Sequence, residues 1–490
     1  MILNVLNMDA LVETIMALII KGAKFPRALK GMKIVPEYNK WQKGERLKIL
    51  LVGYNGARNT GADVRVEAMV RQFYHILGEE NIELSVMTLD VENTSVYFKP
   101  PTKLSLMSSI FFADLLKACS RSHLAVLSEG SCFKSKFANA LTTFFFGAAG
   151  IMKSQGKPCL AYGSEAGEMD WLLRWYVRRH CKQTYVISRT ESSRKVVESL
   201  GLAGNLGTDT AWTFPPGKKE WAVEELKRKG WDGKSELLGI AVINPFWWPV
   251  RPNIMKFLKM VILREKRPDN YDKWYFFSVS KQRSEKFNRY IGGIAKAVDS
   301  FAGRHNLFPV IIGMERLDYQ PCLELQKRLK VKAPLFWSEE YDGYQMTSIL
   351  RQLSLLITSR YHARVLSMPG GVPSLAISMD ERLQNLLEET GHINDYYLEA
   401  GAPDLGERLP EMIEKLWKNR ETVREEILRT IPNYLKKMAT MGKTLKDYLR
   451  ANFPDLTLNE DPDSWPGYLP PLDPELQNLI HTPSPIALKV

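Results

Sequence analysis

Apolar residues in this chain alternate between two patterns. Over residues 47–54 (LKILLVGY) they run almost without interruption into a Gly/Asn loop, whereas over 62–77 they recur at helical spacing. An unbroken apolar run suits a strand buried on both faces, as in a parallel sheet, and the 3.6-residue period suits a helix packed on one side. The pattern repeats, predicting strands at 82–89, 124–127, 158–162 and 184–188 and helices at 139–152, 171–181 and 191–200. Strands and helices alternating at such intervals imply an open parallel sheet with helices on both faces.

A polar stretch over 215–236 interrupts this pattern with one charged helix, and a domain boundary is placed there. The alternation then resumes, with strands predicted at 238–242, 274–279, 308–312, 353–359 and 372–377, and helices near 287–301, 322–329 and from Tyr361. The fold class is therefore α/β, with two doubly wound, Rossmann-like parallel-sheet domains over 45–230 and 231–400. Charged amphipathic helices follow over 401–450. The tail from 451 to 490, with eight prolines after Asn452, reads as extended or disordered. Two such domains in tandem place an active site in the cleft between them, at the carboxyl ends of both sheets.

Composition narrows the function classes. At 490 residues, 45% hydrophobic and 25% charged, the chain is neither a small stapled module nor a disordered one. Its net charge of +12 favours an anionic partner. The tail subtracts 5, the leader over 1–44 adds 4 and the body between them adds 13. Nucleic acid is disfavoured as that partner, because no recognisable binding module accompanies the charge. The five cysteines form no CxxC pair and no metal-ligand spacing, so they read as buried thiols of a reducing compartment. The apolar start is broken by Asp9 and Glu13, too short to span a bilayer, and its cations follow rather than precede it, unlike a signal peptide. The expectation is a cytoplasmic protein whose leader either lies on an anionic membrane surface or packs on the body.

Candidate chemistry sits at strand ends. The loop 53–61 (GYNGARNTG) joins the first strand to the first helix, and its glycines let backbone N–H groups approach a ligand beside a helix amino end. Arg58, Asn59 and Gly61 are the candidate binding positions there. In the second domain the strand at 353–359 ends in Ser359-Arg360-Tyr361-His362-Ala363. Arg360 suits a bidentate clamp on phosphate or carboxylate, and His362 can carry a proton near neutral pH. Arg189, in Ser188-Arg189-Thr190, repeats that geometry in the first domain, with Ser188 or Thr190 as helix cap. Ser128-Glu129-Gly130-Ser131 and Gly163-Ser164-Glu165 also fall at strand ends, and Phe246-Trp247-Trp248 offers aromatic faces for a sugar or base, or for core packing.

In this order, the segments 53–61, 124–131, 188–193 with Thr208-Asp209-Thr210-Ala211, and 359–363 with Gly370-Gly371-Val372-Pro373 resemble the polysaccharide pyruvyl transferase family over about 70% of the chain. The resemblance implies a fold like that of GT-B glycosyltransferases, phosphoenolpyruvate as donor, a cell-surface sugar or its lipid-linked precursor as acceptor, and a pyruvate ketal as product. It further implies that Arg189, Arg360 and His362 hold the donor. No other cofactor and no metal are called for. Where family members often carry a run of glycines, this chain has Glu129, which brings a negative charge to the cleft and bears on the acceptor. Two other readings stay open: a GT-B-type glycosyltransferase using a nucleotide sugar, and a catalytically lapsed protein that binds glycan or membrane.

Overall fold

The computed structural model describes residues 8–31, 33–35, 38–108, 110–251, 253–263 and 275–481. Thirteen strands among them form two parallel sheets. The first contains β1 (Leu47–Asn55), β2 (Ile82–Thr88), β3 (Lys103–Leu106), β4 (Leu124–Leu127), β5 (Cys159–Ser164), β6 (Thr184–Ser188) and β7 (Gly204–Leu206), in the order β3-β2-β1-β4-β5-β6-β7. The second contains β8 (Glu236–Ala241), β9 (Leu307–Gly313), β10 (Leu335–Trp337), β11 (Leu355–Thr358), β12 (Ser374–Ser378) and β13 (Tyr397–Glu399), in the order β10-β9-β8-β11-β12-β13. Strand order reverses between β1 and β4 in one sheet and between β8 and β11 in the other, the crevices where open α/β sheets take ligands.

Apolar residues set the register. Leu51 faces Val86 on one side and Val126 on the other, and Ile240 lies between Ile311 and Ile357, so the central strands are apolar on both faces. Six helices matter below: α1 (Met8–Gly22), α2 (Thr60–Leu77), α3 (Asn139–Ser154), α4 (Trp171–His180), α5 (Tyr361–Ser367) and α6 (Arg420–Asn452). Helix α6 packs against both domains. His392 of the second domain meets Glu426 at 2.9 Å, while farther along Tyr434 stacks on Trp212 at 4.1 Å and Gln72 of α2 donates to the Met438 carbonyl.

The structure departs from the sequence reading in two places, the segment 274–279 and the tail, and it bears on the two readings of the leader. The predicted strand at 274–279 does not form over the described residues: Trp274 lies outside them, Tyr275 and Phe276 are helical and a turn follows at Phe277 and Ser278, with Tyr275 packed on Trp247 and Trp248. Over its described residues, to His481, the tail packs on the body, and residues 482–490 lie outside the described residues. Arg71 donates to the Pro471 carbonyl, Arg351 pairs with Asp473 and Glu475, and Leu469 and Leu476 are buried, so this segment straps both domains. In the leader, α1 packs on the body, burying Met16 and Ile20 against α3. Among the described residues, no helix is long and apolar enough to cross a membrane.

Candidate active site

Side chains from both domains meet where the carboxyl ends of the sheets face each other. From the first, α2 begins with Asn59 as its cap, Oδ1 accepting from the Ala62 N–H at 3.2 Å. The Thr60 N–H donates across the cleft to the Met314 carbonyl, just past β9, at 2.9 Å. The turn before it needs Gly56, whose φ is +82° and whose Cβ would stand 2.4 Å from the Thr88 hydroxyl. Arg58 follows with φ +53°, an unusual conformation for a residue with a Cβ, and its Nε donates to Asn93 at 2.8 Å.

The centre is Asp209, fully buried just beyond β7. Arg65 of α2 reaches it at 3.1 Å, and Arg189, beyond β6, at 2.7 Å. Burial alone would raise this carboxyl's pKa, but Arg65, His362 and Arg189 hold it well below the usual range. Arg65 also donates to the Ser128 and Gly163 carbonyls, and Arg189 continues to Glu165 at 3.0 Å, which Lys134 meets at 2.6 Å. Burial likewise opposes ionisation of Glu165, and Arg189, Lys134 and Arg382 overcome it. Gly130 lies tight against this cluster, since a Cβ there would come 2.8 Å from Arg189 and 3.0 Å from Arg65.

The second domain contributes α5. His362 sits on its first turn, with Nε2 3.6 Å from Asp209, and the neighbouring Tyr361 ring lies under the Arg189 guanidinium at 4.6 Å. Burial lowers the pKa of His362; Asp209 partly offsets this, while Arg65 and Arg189 add to it. The resting imidazole is thus neutral, with a fixed carboxylate beside it that would stabilise the imidazolium once a proton is taken. A neutral base poised this way suits proton abstraction from a hydroxyl or an activated carbon.

Of the residues singled out in the sequence, Gly61, Arg189, Glu129 and His362 come together here. Gly61 is the floor beneath His362. Glu129 accepts from the Gly130 N–H and stands 3.9 Å from Arg65, which tempers the charge it brings. Arg360 lies alongside but is engaged elsewhere, forking onto Asp318 with a further contact to Glu315 at 3.0 Å. Burial pushes the Asp318 carboxyl up to about 6, against the pull of Arg360. Asn59 acts as a cap, and Arg58 is bound to Asn93. Thr190 caps the next helix as expected, accepting from the Ser193 N–H. The Phe246, Trp247 and Trp248 rings pack on Tyr290 and Tyr275.

Sequence reasoning missed Arg65, Lys134, Glu315 and Asp318 as members of the site, and it quoted Asp209 only within a motif, without a role. Arg65 had a signal, an arginine flanked directly by Val64 and Val66 in a helix, four residues and so one turn beyond Gly61.

Neither a protein-family model nor a curated protein matches the chain. Solved structures do. A Listeria monocytogenes protein assigned as a UDP-N-acetylglucosamine 2-epimerase superposes with a TM-score of 0.53 at 13% identity, covering 85% of this chain and 100% of its own. HepE of Anabaena, crystallised with UDP-glucose, gives 0.51 at 10% identity, covering 82% and 100%. At such identities the likeness is one of fold: the chain has two parallel-sheet α/β domains in a GT-B-like arrangement.

Proposed function

We propose that the protein is an enzyme acting on a nucleotide-activated sugar in the cleft between its sheets, as a glycosyltransferase or an epimerase, with His362 as general base and Asp209 as the carboxylate that stabilises its protonated form. The observation carrying this reading is the 3.6 Å approach of His362, from one domain, to Asp209, from the other. Both reactions require a proton to leave the sugar or its acceptor, and a base assembled from two domains depends on the two domains being held together across the cleft, as they are here. Arg65 and Arg189 keep Asp209 ionised and in place, acting as positioning residues. The fold lends support, since HepE was crystallised with UDP-glucose and the Listeria protein is assigned to UDP-N-acetylglucosamine.

A second reading, transfer of pyruvate from phosphoenolpyruvate to a sugar, draws on a separate observation. Arg189 and His362, which the sequence resemblance assigns to the donor, share Asp209, with Arg360 two residues before His362. Arg189 and Arg360 are both ion-paired with carboxylates, however, so a small trianion would have to displace Glu165, Asp209, Glu315 or Asp318 to reach them. The diphosphate of a nucleotide sugar would meet the same carboxylates, so the preference for a nucleotide sugar is drawn from the fold.

Calorimetry with UDP-glucose, UDP-N-acetylglucosamine and phosphoenolpyruvate separates the two. The first reading expects a nucleotide sugar to bind and His362→Ala to abolish turnover while leaving the fold intact. Phosphate release from phosphoenolpyruvate, with no nucleotide-sugar binding, would replace it with the second, and binding of neither would overturn both.

A further inference from the structure

The leader helix is apolar on two sides, and the body uses only one. Its inner face rests on α3, where Gly147 and Gly150 leave room: a Cβ on either would come 2.7 Å from Met16 or 2.5 Å from Ile20. The opposite face shows Leu11, Ile15 and Leu18 to solvent at i, i+4 and i+7, with Leu18 63% exposed. Helix α4 lies beside it, joined through the Thr14 and Tyr176 hydroxyls at 3.4 Å, and adds Trp171 and Trp175 one turn apart, Trp171 being 79% exposed. Phe25, just past α1, is 67% exposed. Soluble monomers rarely leave so much contiguous apolar surface uncovered.

Cations border this patch. Lys21 lies in the last turn of α1 and Lys24 just beyond it, and Arg178, Arg179 and Lys182 stand exposed at the matching end of α4. The two ends converge, because Lys182, Arg179 and Lys24 all crowd Lys153, whose ammonium burial and these neighbours hold below its ordinary pKa. Helix α4 carries no acidic residue, and of the two on α1, Glu13 is buried and Asp9 partly buried.

We infer that this face docks the protein on an anionic lipid bilayer, with α1 and α4 lying in the interfacial plane, Leu18, Phe25 and Trp171 inserted among the lipids, and the basic ends set against phosphate headgroups. Charge complementarity selects the occupant: a face of aliphatic and tryptophan side chains edged by lysine and arginine matches the apolar and anionic layers of a leaflet. The inference is independent of the chemistry in the cleft.

The test is co-sedimentation of the full chain with phosphatidylcholine vesicles and with vesicles containing phosphatidylglycerol. Binding is expected to the anionic vesicles and to be weakened by salt, with quenching of tryptophan fluorescence by brominated acyl chains. A Leu18→Ser, Trp171→Ser variant should lose about tenfold or more in affinity with its thermal transition unchanged. A Lys24→Glu, Lys182→Glu variant should lose the preference for anionic lipid. Failure to bind either vesicle at low salt, or binding that both variants retain in full, would overturn the inference. So would sedimentation showing that the same substitutions dissociate a protein dimer while lipid binding is absent.

Discussion

A Cβ on Gly61 would stand 2.0 Å from Nδ1 of His362 and 2.6 Å from its Cγ, so the histidine holds its place only because the first turn of α2 presents a glycine. The two residues belong to different domains, and their contact fits the base into the closed cleft. Gly61→Ala is therefore expected to swing the imidazole away from Asp209. A misplacement of that order costs on the order of a hundredfold in turnover. The overpacking costs roughly 1–3 kcal/mol of stability. Steady-state kinetics beside urea denaturation would check it, and an alanine variant with unchanged turnover would show that His362 is not the base.

Asp209 is the carboxylate that Arg65 and Arg189, both buried, share among the described residues. Removing its charge leaves two guanidiniums facing each other without it, and breaking a buried pair from one side costs about 3–5 kcal/mol. Asp209→Asn should show that loss in chemical denaturation. The exposed pair Arg194 with Glu198 serves as control, since Glu198→Gln should leave the denaturation midpoint essentially unchanged.

The central strands were legible because short, nearly unbroken apolar runs such as residues 49–54 and 124–127 leave few alternatives to a buried parallel strand. The edges were not. β3, β7, β10 and β13 are three or four residues long, shorter than the window in which a period can be recognised, and neighbouring strands rather than local pattern hold them in place. The aromatic run at 274–279 misled in the opposite direction, since Tyr275 is apolar for the sake of Trp247 and Trp248 rather than for a sheet. For the site, the strand-to-helix junctions at Arg189 and His362 stood out as charges ending apolar runs. Asp209 follows an unrecognised edge strand, and Asp318 and Glu315 lie in a loop whose partner, Arg360, is over forty residues away. Position along the chain says nothing about such pairings.

The contact of the leader with the body should depend on pH. Burial, with Asp170 nearby, raises Glu13 from an ordinary 4.5 to about 7, and Asp9 rises from 3.8 to about 6. Between the ordinary and raised values the folded chain holds protons that the unfolded chain has released, so stability falls as pH rises through this window. Asp209 and Glu165 act in the opposite sense, their stabilisation being lost on acidification below the ordinary carboxylate range. Glu13→Gln keeps an oxygen to accept from Asn139 and should be more stable than the parent by roughly 1–2 kcal/mol at pH 8, with little difference at pH 5. Thermal melts across that range test it.

Arg360 offers a way to ask whether the second domain grips an anion. It is held by two buried carboxylates from the same loop, Asp318 through a fork and Glu315 through one contact at 3.0 Å. Asp318 also accepts from the Met314 and Glu315 N–H groups, so it shapes the loop as well as orienting the arginine. Glu315 makes the lesser contact and is the group that an incoming phosphate would compete with. If Arg360 binds donor, Glu315→Gln removes a competing charge while Asp318 still aims the guanidinium, and donor affinity should improve several-fold. Arg360→Ala should then weaken binding by about 1.5–3 kcal/mol, the usual worth of a charged hydrogen bond. If Arg360 serves only to neutralise the loop, Glu315→Gln leaves donor affinity unchanged and lowers stability alone. Calorimetric titration of both variants with the nucleotide sugar, alongside their melting temperatures, distinguishes the two roles because only a donor contact makes the glutamine variant bind more tightly than the parent.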